Sequence, residues 1–316
     1  MEKSEPMSDV RGPRVSIVIA VYNGAPTVGR ALASVFAQTY TDYEVIVVND
    51  GSTDDTAAVL ARFGKRIRVI TQDNRGLSAA RNAGVRASTG EYVAFLDDDD
   101  EWMPEMLARC TAVLDEDPDC VLVYTGVLKV DLTGMPTPDQ EPLTGGVESP
   151  TMAQALARPW TIVPSQFLVR RSVLERTNGF DERLGGPEDI YFLLQAREQG
   201  YFRSIPELLV RKATRPLYPK ALKREPACDL LVRLVRERYG ASATGFIWEF
   251  RRARMKVMKH TARLLMEEGR PRDARRCLAR VIYYQPASPK AYRRYLKTFS
   301  PARTSRATTS TKDEGA

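Results

Sequence analysis

The sequence predicts an α/β protein, a doubly wound, mostly parallel sheet with a helical C-terminal extension. Three observations carry that expectation. Short β-branched runs alternate with amphipathic stretches from Val15 to Leu128, the order left by strands joined through crossover helices. The early runs close in turn residues, Tyr22-Asn23-Gly24 and Asn49-Asp50-Gly51-Ser52, where strand gives way to helix. Beyond Tyr218 the β-branched runs stop and long helix-like segments take over.

Each element has a local reason. Val15 to Val21 is a β-branched run of buried-strand length. Thr27 can cap a helix through about Gln38, with Val28, Ala31, Leu32, Val35 and Phe36 on one face. A second strand covers Tyr43 to Val48, and Thr53 or Asp54 opens a helix to Phe63. A third strand, Ile67 to Thr71, leads through Gln72-Asp73-Asn74-Arg75-Gly76 into a helix from Leu77 to Ala87. Tyr92 to Leu96 is a fourth strand. Pro104 suits a helix start, with that helix running to Asp115, and Cys120 to Leu128 is again a strand. Asp131 to Pro150 is rich in Pro, Gly, Thr and acidic residues and reads as a long surface loop. A mixed region follows to Arg183. Leu184 to Asp189 is then a tight turn into a helix from Ile190 to Gln199, and Phe202–Ile205 and Leu208–Ala213 read as short edge strands. Helices are expected over Leu222–Tyr239, Ile247–Glu268, Pro271–Tyr284 and Pro289–Lys297, and a disordered tail from Ser300. The expected organisation is a flexible leader over 1–13, an α/β domain over 14–218, a basic helical region over 219–299 and the tail over 300–316.

Composition excludes several classes of function. A hydrophobic fraction of 43% with 28% charged residues is that of a globular protein. No apolar run approaches the roughly 18 residues of a membrane span, and Met1 to Pro13 has no apolar signal core, so a cytoplasmic location is expected. The four cysteines form no C-x-x-C pair, which suits free thiols in a reducing compartment. His260 is the single histidine, which rules out a His-rich metal centre and most Ser-His or Cys-His catalysis. The net charge of +7 is divided unevenly: residues 221–316 hold 23 Lys and Arg against 9 Asp and Glu, while residues 1–220 carry a net −7. An acidic front half fits a metal-binding domain, and a basic tail fits an anionic surface.

The strand Tyr92 to Leu96 ends abruptly in Asp97-Asp98-Asp99-Asp100-Glu101. Adjacent carboxylates repel unless something positive lies among them. Oxygen-only ligands at a strand end suit Mg²⁺ or Mn²⁺, especially where a diphosphate completes the shell. An acidic, solvated turn before a helix remains the plain alternative. In a parallel sheet the carboxyl ends of strands lie along one edge, so Tyr22-Asn23, Asn49-Asp50 and Asp97 to Asp100 converge on one crevice. Tyr22 can stack on a base, Asn49 or Asp50 can accept from a base or ribose, and Arg81 can reach phosphates as a fixed cation. Neither G-x-G-x-x-G nor G-x-x-x-x-G-K-S/T occurs, which removes the dinucleotide and P-loop readings.

At this point the chain resembles the family-2 glycosyltransferases, which have the nucleotide-sugar-binding GT-A fold. The resemblance rests on Val15–Ile19 through Tyr22-Asn23, on Val48-Asn49-Asp50-Gly51-Ser52-Thr53-Asp54-Asp55-Thr56, and on Asn74 to Gly84. It rests also on Phe95-Leu96-Asp97-Asp98-Asp99-Asp100 and on Glu188-Asp189, all in the family's order across roughly 14–213. It implies that Ala20, Tyr22, Asn49 and Asp50 hold the nucleotide base and ribose. Many members have two aspartates where this chain has Asn49-Asp50. Asp97 and Asp99 match the D-x-D pattern, with Asp99 as metal ligand and Asp97 between metal and ribose; Asp98 allows a second register and is counted with the donor site. Asp189 matches the catalytic base. Its place at a helix start favours its ionised form and is expected to limit its basicity until acceptor binding excludes water.

The implied activity is a metal-dependent inverting transfer, with Mn²⁺ or Mg²⁺, of one sugar from a nucleotide-diphosphate sugar, expected to be a UDP-sugar. The implied acceptor is a hydroxyl on a glycan or lipid-linked glycan of a cell-envelope precursor. A degenerate nucleotide-sugar-binding scaffold is the first alternative and a sugar nucleotidyltransferase the second, although Ala20 to Thr27 lacks the Lys or Arg such enzymes carry. The basic tail has three readings: solvated helix faces, peripheral contact with the anionic inner face of a membrane, or docking to a partner. Nucleic-acid binding is not expected, since no nucleic-acid-binding fold is visible.

Overall fold

A computed structural model describes residues 12–131, 135–137, 162–213 and 221–299. The leader up to residue 11, most of the 131–150 loop and the tail from Ser300 lie outside the described residues. Strand β1 (Val15–Val21) leads through α1 (Val28–Phe36) to β2 (Tyr43–Asp50), α2 (Thr56–Ala61), β3 (Arg68–Gln72) and α3 (Leu77–Ala87). Next come β4 (Tyr92–Asp97), the two-residue β5 (Glu101–Trp102), α4 (Met106–Glu116) and β6 (Cys120–Val130). Then follow β7 (Phe167–Arg170), α5 (Arg171–Thr177), α6 (Glu188–Arg197) and β8 (Tyr201–Ala213). Helices α7 (Glu225–Tyr239), α8 (Thr244–Glu267), α9 (Pro271–Tyr284) and α10 (Pro289–Lys297) end the described chain.

The strands form one sheet in the order β3-β2-β1-β4-β7-β6-β8-β5. β3, β2, β1 and β4 are parallel, as the alternation of strand and helix requires. β7 runs antiparallel to both β4 and β6, β6 and β8 are parallel, and β5 is antiparallel to β8. The sheet is therefore mixed, mostly parallel. The chain passes from β1 outward to β2 and β3, then returns to the other flank of β1 as β4. That reversal is a topological switch point, where an open α/β sheet forms a crevice at the carboxyl ends of its strands.

Alternation along the strands builds two core layers. Ile17, Ile19, Val45, Val47, Ala94 and Leu96 face α1 and α4, meeting Leu32, Val35, Met106 and Leu107. Val18, Val93 and Phe95 face the other way, with Phe167, Phe180 and Phe192 among their neighbours. Helix α3 lies on this second side. A Cβ on Gly84 would come within 2.3 Å of Val18, so the lack of a side chain there sets how closely α3 approaches β1.

Three departures from the expected elements have simple causes. Phe202–Ile205 and Leu208–Ala213 are one strand, β8, paired with β6 along its length. Pro206 lacks an N–H, and the register slips there, with Thr125 opposite Ile205 and Gly126 opposite Leu208, so the pattern reads as two strands. β7 is only Phe-Leu-Val-Arg, too short to show a period. Helix α6 begins at Glu188, with Pro187 in the N-cap position. Asp189 is thus in its first turn, two residues inside the N-cap.

The chain divides into two compact units. The first comprises Met1–Pro216 and Arg224–Phe250. It reaches past the boundary drawn from sequence at 218, because Leu231, Val235, Phe246 and Phe250 pack with Ile190 and Leu194 of α6. The second comprises Leu217–Lys223 and Arg251–Ala316. Its core joins Met258, Ala262 and Leu265 of α8 to Ala274, Cys277 and Val281 of α9 and Ala291 of α10. All four cysteines are buried free thiols. Among the described residues no helix is long and apolar enough to cross a membrane.

Candidate active site

The carboxyl ends of β1, β2 and β4 bring the expected residues to one edge. Register pairs Ala20 with Val48 and with Asp97, and Val21 with Asn49. Tyr22, just beyond β1, is 51% exposed, so its ring is available to stack on a ligand. Ala20 is buried in a small cluster with Ile46, Val48 and Ala80. Asn23 sits in the left-handed region (φ 53°), and its Oδ1 accepts the Thr53 N–H at 2.8 Å, tying the first loop to the second. Asn49 Oδ1 accepts the Ser52 N–H at 3.0 Å. Asp50 is buried, with Oδ1 accepting from Gln72 Nε2 (2.7 Å) and the Arg75 N–H (2.9 Å) and Oδ2 from the Gly76 N–H (2.8 Å). Both its oxygens are thus engaged in holding the loop that leads into α3.

The acidic run separates into distinct environments. Asp98 turns toward the first loop, where Thr27 Oγ1 donates to its Oδ2 at 3.2 Å. A Cβ on Gly24 would sit 2.2 Å from that same oxygen, so the close approach depends on glycine. Asp97, Asp99 and Asp100 each offer an oxygen, all within 4.8 Å of one another. Asp100 is fully buried. It accepts from Ser165 Oγ at 2.7 Å, Lys212 Nζ at 3.0 Å and the Ala213 N–H at 3.1 Å. Burial pushes its carboxyl up to about 6, against the pull of Lys212. Ser165 also accepts the Asp97 N–H at 3.1 Å, and its carbonyl accepts from Trp102 Nε1 at 2.8 Å, which locks the turn after β4.

Asp97 lies between two cations. Arg81 Nη2 donates to its Oδ1 at 2.6 Å, and Lys212 Nζ is 3.6 Å from its Oδ2. Burial works to raise the Asp97 carboxyl, but Arg81 and Lys212 outweigh it and hold it below the usual range. The other arm of Arg81, Nη1, reaches Glu188 Oε1 at 3.2 Å, and its guanidinium lies over the Phe180 ring, 5.2 Å from the centroid. The side chain that the sequence points toward phosphates is thus turned inward, bridging two carboxylates. Glu188 Oε2 accepts the Gly186 N–H at 2.7 Å.

Asp189 follows Glu188, and its Oδ1 accepts the neighbouring Ile190 N–H at 2.8 Å. Burial, with the Glu188 charge adding to it, pushes its carboxyl up to about 7, against the opposing pull of Arg81. Desolvation outweighs Arg81 and the Ile190 N–H, and the group is poised to exchange a proton near neutrality.

Sequence reasoning did not find Lys212, Ser165 or the Arg81–Glu188 pair. Lys212 is one residue in the alternating end of β8 and has no local motif. The donor set is nevertheless suited to a hard divalent cation. It is all carboxylate oxygen, Asp99 is half-buried rather than enclosed, and Arg81 and Lys212 limit the repulsion that would otherwise spread the cluster. Asp97 and Asp99 are the residues that could hold it, while Asp100 is committed to Ser165, Lys212 and Ala213.

Comparison with known proteins agrees with this arrangement. Residues 16–177 match the model of glycosyl transferase family 2. An uncharacterized glycosyltransferase of Nostoc sp. is 37% identical over 53% of this chain and 54% of its own. Glycosyltransferase EpsJ of Bacillus subtilis is 32% identical over 69% of this chain and 66% of its own, and chondroitin synthase of Escherichia coli is 32% identical over 65% and 29%. The matched stretch thus spans about half of the Nostoc protein and less than a third of the synthase. Among solved structures, Staphylococcus aureus TarS 1–349 in complex with UDP superposes with a TM-score of 0.58 at 20% identity, covering 89% of this chain and 91% of that one. The Pyrobaculum calidifontis mannosyltransferase PcManGT, in complex with GDP-Man and Mn²⁺, gives 0.56 at 22% identity over 91% and 80%. These likenesses establish the GT-A architecture. With the family match covering just over half the chain, the protein belongs to glycosyl transferase family 2.

Proposed function

We propose that the chain catalyses metal-dependent, inverting transfer of a single sugar from a nucleotide-diphosphate sugar, a UDP-sugar in the first instance, to a hydroxyl on a glycan or lipid-linked acceptor. The observation that carries the proposal is Asp189. It is a carboxyl pushed up to about 7, on the same Arg81 network as the acidic end of β4. A hydroxyl acceptor is a poor nucleophile, and a base with a midpoint near neutrality takes its proton most effectively. In the proposed step the acceptor oxygen forms its bond to the sugar C1 from the face opposite the diphosphate. The C1–O bond to the phosphate breaks, the nucleoside diphosphate leaves with the electron pair, and the hydroxyl proton passes to Asp189. A single displacement of this kind inverts the anomeric centre. A divalent cation, Mn²⁺ or Mg²⁺, held by Asp97 and Asp99 would neutralise charge gathering on the leaving diphosphate. Tyr22 stacks on the base, Asn49 bonds it, and Asp50 supports the ribose side through the loop it holds. Ala20 lines the floor, Asp98 fixes the first loop, and Arg81 positions Asp97 and Glu188.

Support comes from the ligands of the superposable structures, UDP in one and GDP-Man with Mn²⁺ in the other. They disagree on the base, and Asn49-Asp50 in place of two aspartates leaves uracil the preferred rather than the required base. The four buried free thiols and the basic C-terminal region support an inner-face, cytoplasmic site of action.

The direct test is thermal stability with UDP, GDP and their sugars, each with Mn²⁺, Mg²⁺ or EDTA. A ligand at 100 times its Kd stabilises the native state by about 2.7 kcal/mol. A shift with uridine nucleotides that EDTA removes is the expected result; no shift with any nucleotide would favour a scaffold without donor binding. In the same assay Asp99→Ala is expected to abolish the metal-dependent shift while leaving the unliganded melting point within about 2 °C. An unchanged Mn²⁺-dependent shift would move the cation to other carboxylates.

A further inference from the structure

We propose that the outer face of α10 is a docking surface for an anionic lipid bilayer. Tyr292, Leu296 and Phe299 are 44%, 63% and 57% exposed. They recur at the i, i+4, i+7 spacing of one helix face, Phe299 lying in the turn that ends the helix. The inward face is a different one: Ala291 and Thr298 are buried and Tyr295 is half-buried. On a helix of 3.6 residues per turn, Lys290, Arg293, Arg294 and Lys297 fall on the flank of the inward face away from the apolar strip, with Arg293 next to Leu296, and all four are exposed. The helix thus has three strips, one packed, one apolar and bare, one cationic. It contains no acidic residue.

The surroundings share this character. Residues 251–299 hold 15 Lys and Arg against 3 Asp and Glu. The Arg275 guanidinium lies 4.4 Å from the centroid of the Phe299 ring, so cation and aromatic belong to one patch. An apolar strip bordered by arginine and lysine is the pattern of a helix lying in the headgroup plane, with its apolar side at the acyl boundary and its cations on anionic headgroups. A second copy of this chain is a poorer occupant, since two such faces would bring like charge together. The proposal goes beyond sugar transfer and does not depend on it.

The test is flotation of the full-length protein with vesicles. One set is pure phosphatidylcholine and the other equal parts phosphatidylcholine and phosphatidylglycerol. The wild type is expected to float with the anionic set only, and less at high salt. The triple variant R293Q/R294Q/K297Q should bind on the order of 100-fold more weakly, about fivefold per charge removed. L296Q/F299Q should also bind more weakly and should keep its salt sensitivity. Both variants change exposed positions, and an unaltered melting point verifies that they fold. A nucleotide-induced thermal shift retained in both separates this face from the donor site. No flotation by the wild type, or equal flotation by wild type and both variants, overturns the proposal. So does a wild-type dimer that L296Q/F299Q converts to monomer without lipid, which would give the face to a second copy.

Discussion

Replacing Asp189 by asparagine is expected to slow transfer by about 10²–10⁴-fold and to stabilise the fold. The two effects have one cause. The wild-type carboxyl is pushed up to about 7 because it is desolvated beside Glu188, so ionising it in the native state is unfavourable. In the proposed reaction the same unfavourable ionisation is what would let it take the acceptor's proton at neutral pH. Asparagine keeps the shape and an acceptor for the Ile190 N–H, which now meets Oδ1 at 2.8 Å, but it cannot take a proton. The rate should fall by about 10²–10⁴-fold, with donor-induced thermal shifts unchanged.

The sign of the stability effect follows from linkage. A carboxyl free in the unfolded chain titrates near 4, so between about 4 and 7 the native state holds the proton more tightly. The Asp189 contribution to stability therefore declines as pH rises through that window, then stays level above it. Asp189→Asn removes that contribution and leaves the one from Asp100. The variant should match the wild type below about pH 4 and exceed it at pH 8, with about 4 kcal/mol as the ceiling set by a rise from about 4 to about 7. Activity runs the other way. For the wild type kcat/KM should rise about tenfold per pH unit up to a midpoint at or below 7 and then level off. The groups facing Asp189 are Glu188, which raises the midpoint, Arg81, which lowers it, and Asp97, which adds a smaller upward push. Normal turnover by Asp189→Asn would remove it as the base. Lost turnover with a lower melting point at pH 8 would make it a structural residue.

The parts of this site that the sequence disclosed are local in the chain. Asp97 to Asp100 are legible because four carboxylates directly after an apolar strand are costly without a counter-charge. Tyr22, Asn49 and Asp50 follow from the rule that parallel strands end on one edge. The counter-charges lie elsewhere in the chain. Lys212 and Asp100 are 112 positions apart, and Arg81, 16 positions from Asp97 and 107 from Glu188, reads from sequence as a phosphate ligand. No periodicity connects such pairs, so the cluster was visible and what neutralises it was not. For Asp189 the sequence showed the helix start but not that the fold itself desolvates the group before any acceptor binds. A helix start is a local feature and argues for a low value, whereas desolvation depends on what the fold packs around it. β7 escaped because three apolar residues between Gln166 and Arg170 make no pattern until β4 and β6 flank them.

The position of Arg81 separates two roles by experiment. A phosphate-binding arginine contributes to donor affinity and little to the empty fold. Arg81 is buried, donates to Asp97 at 2.6 Å and to Glu188 at 3.2 Å, and lies over Phe180. Arg81→Met keeps much of the apolar contact but leaves buried Glu188 without its cation and Asp97 with Lys212 alone. Removing one partner from a buried pair costs about 3–5 kcal/mol, which in a chain of this size lowers the melting point by about 10 °C at neutral pH. The deficit should depend on pH. Asp97 is held below its usual range, with Arg81 and Lys212 outweighing burial. Its contribution is therefore present above the unfolded value near 4 and is lost as pH falls through its folded value. The gap between wild type and Arg81→Met should accordingly be widest near pH 7 and close in acid. Arg81→Lys retains the charge but not the fork, so its single ammonium can serve one carboxylate and should recover only part of the loss. A melting point unchanged by Arg81→Met, with donor affinity alone reduced, would instead return Arg81 to the phosphates.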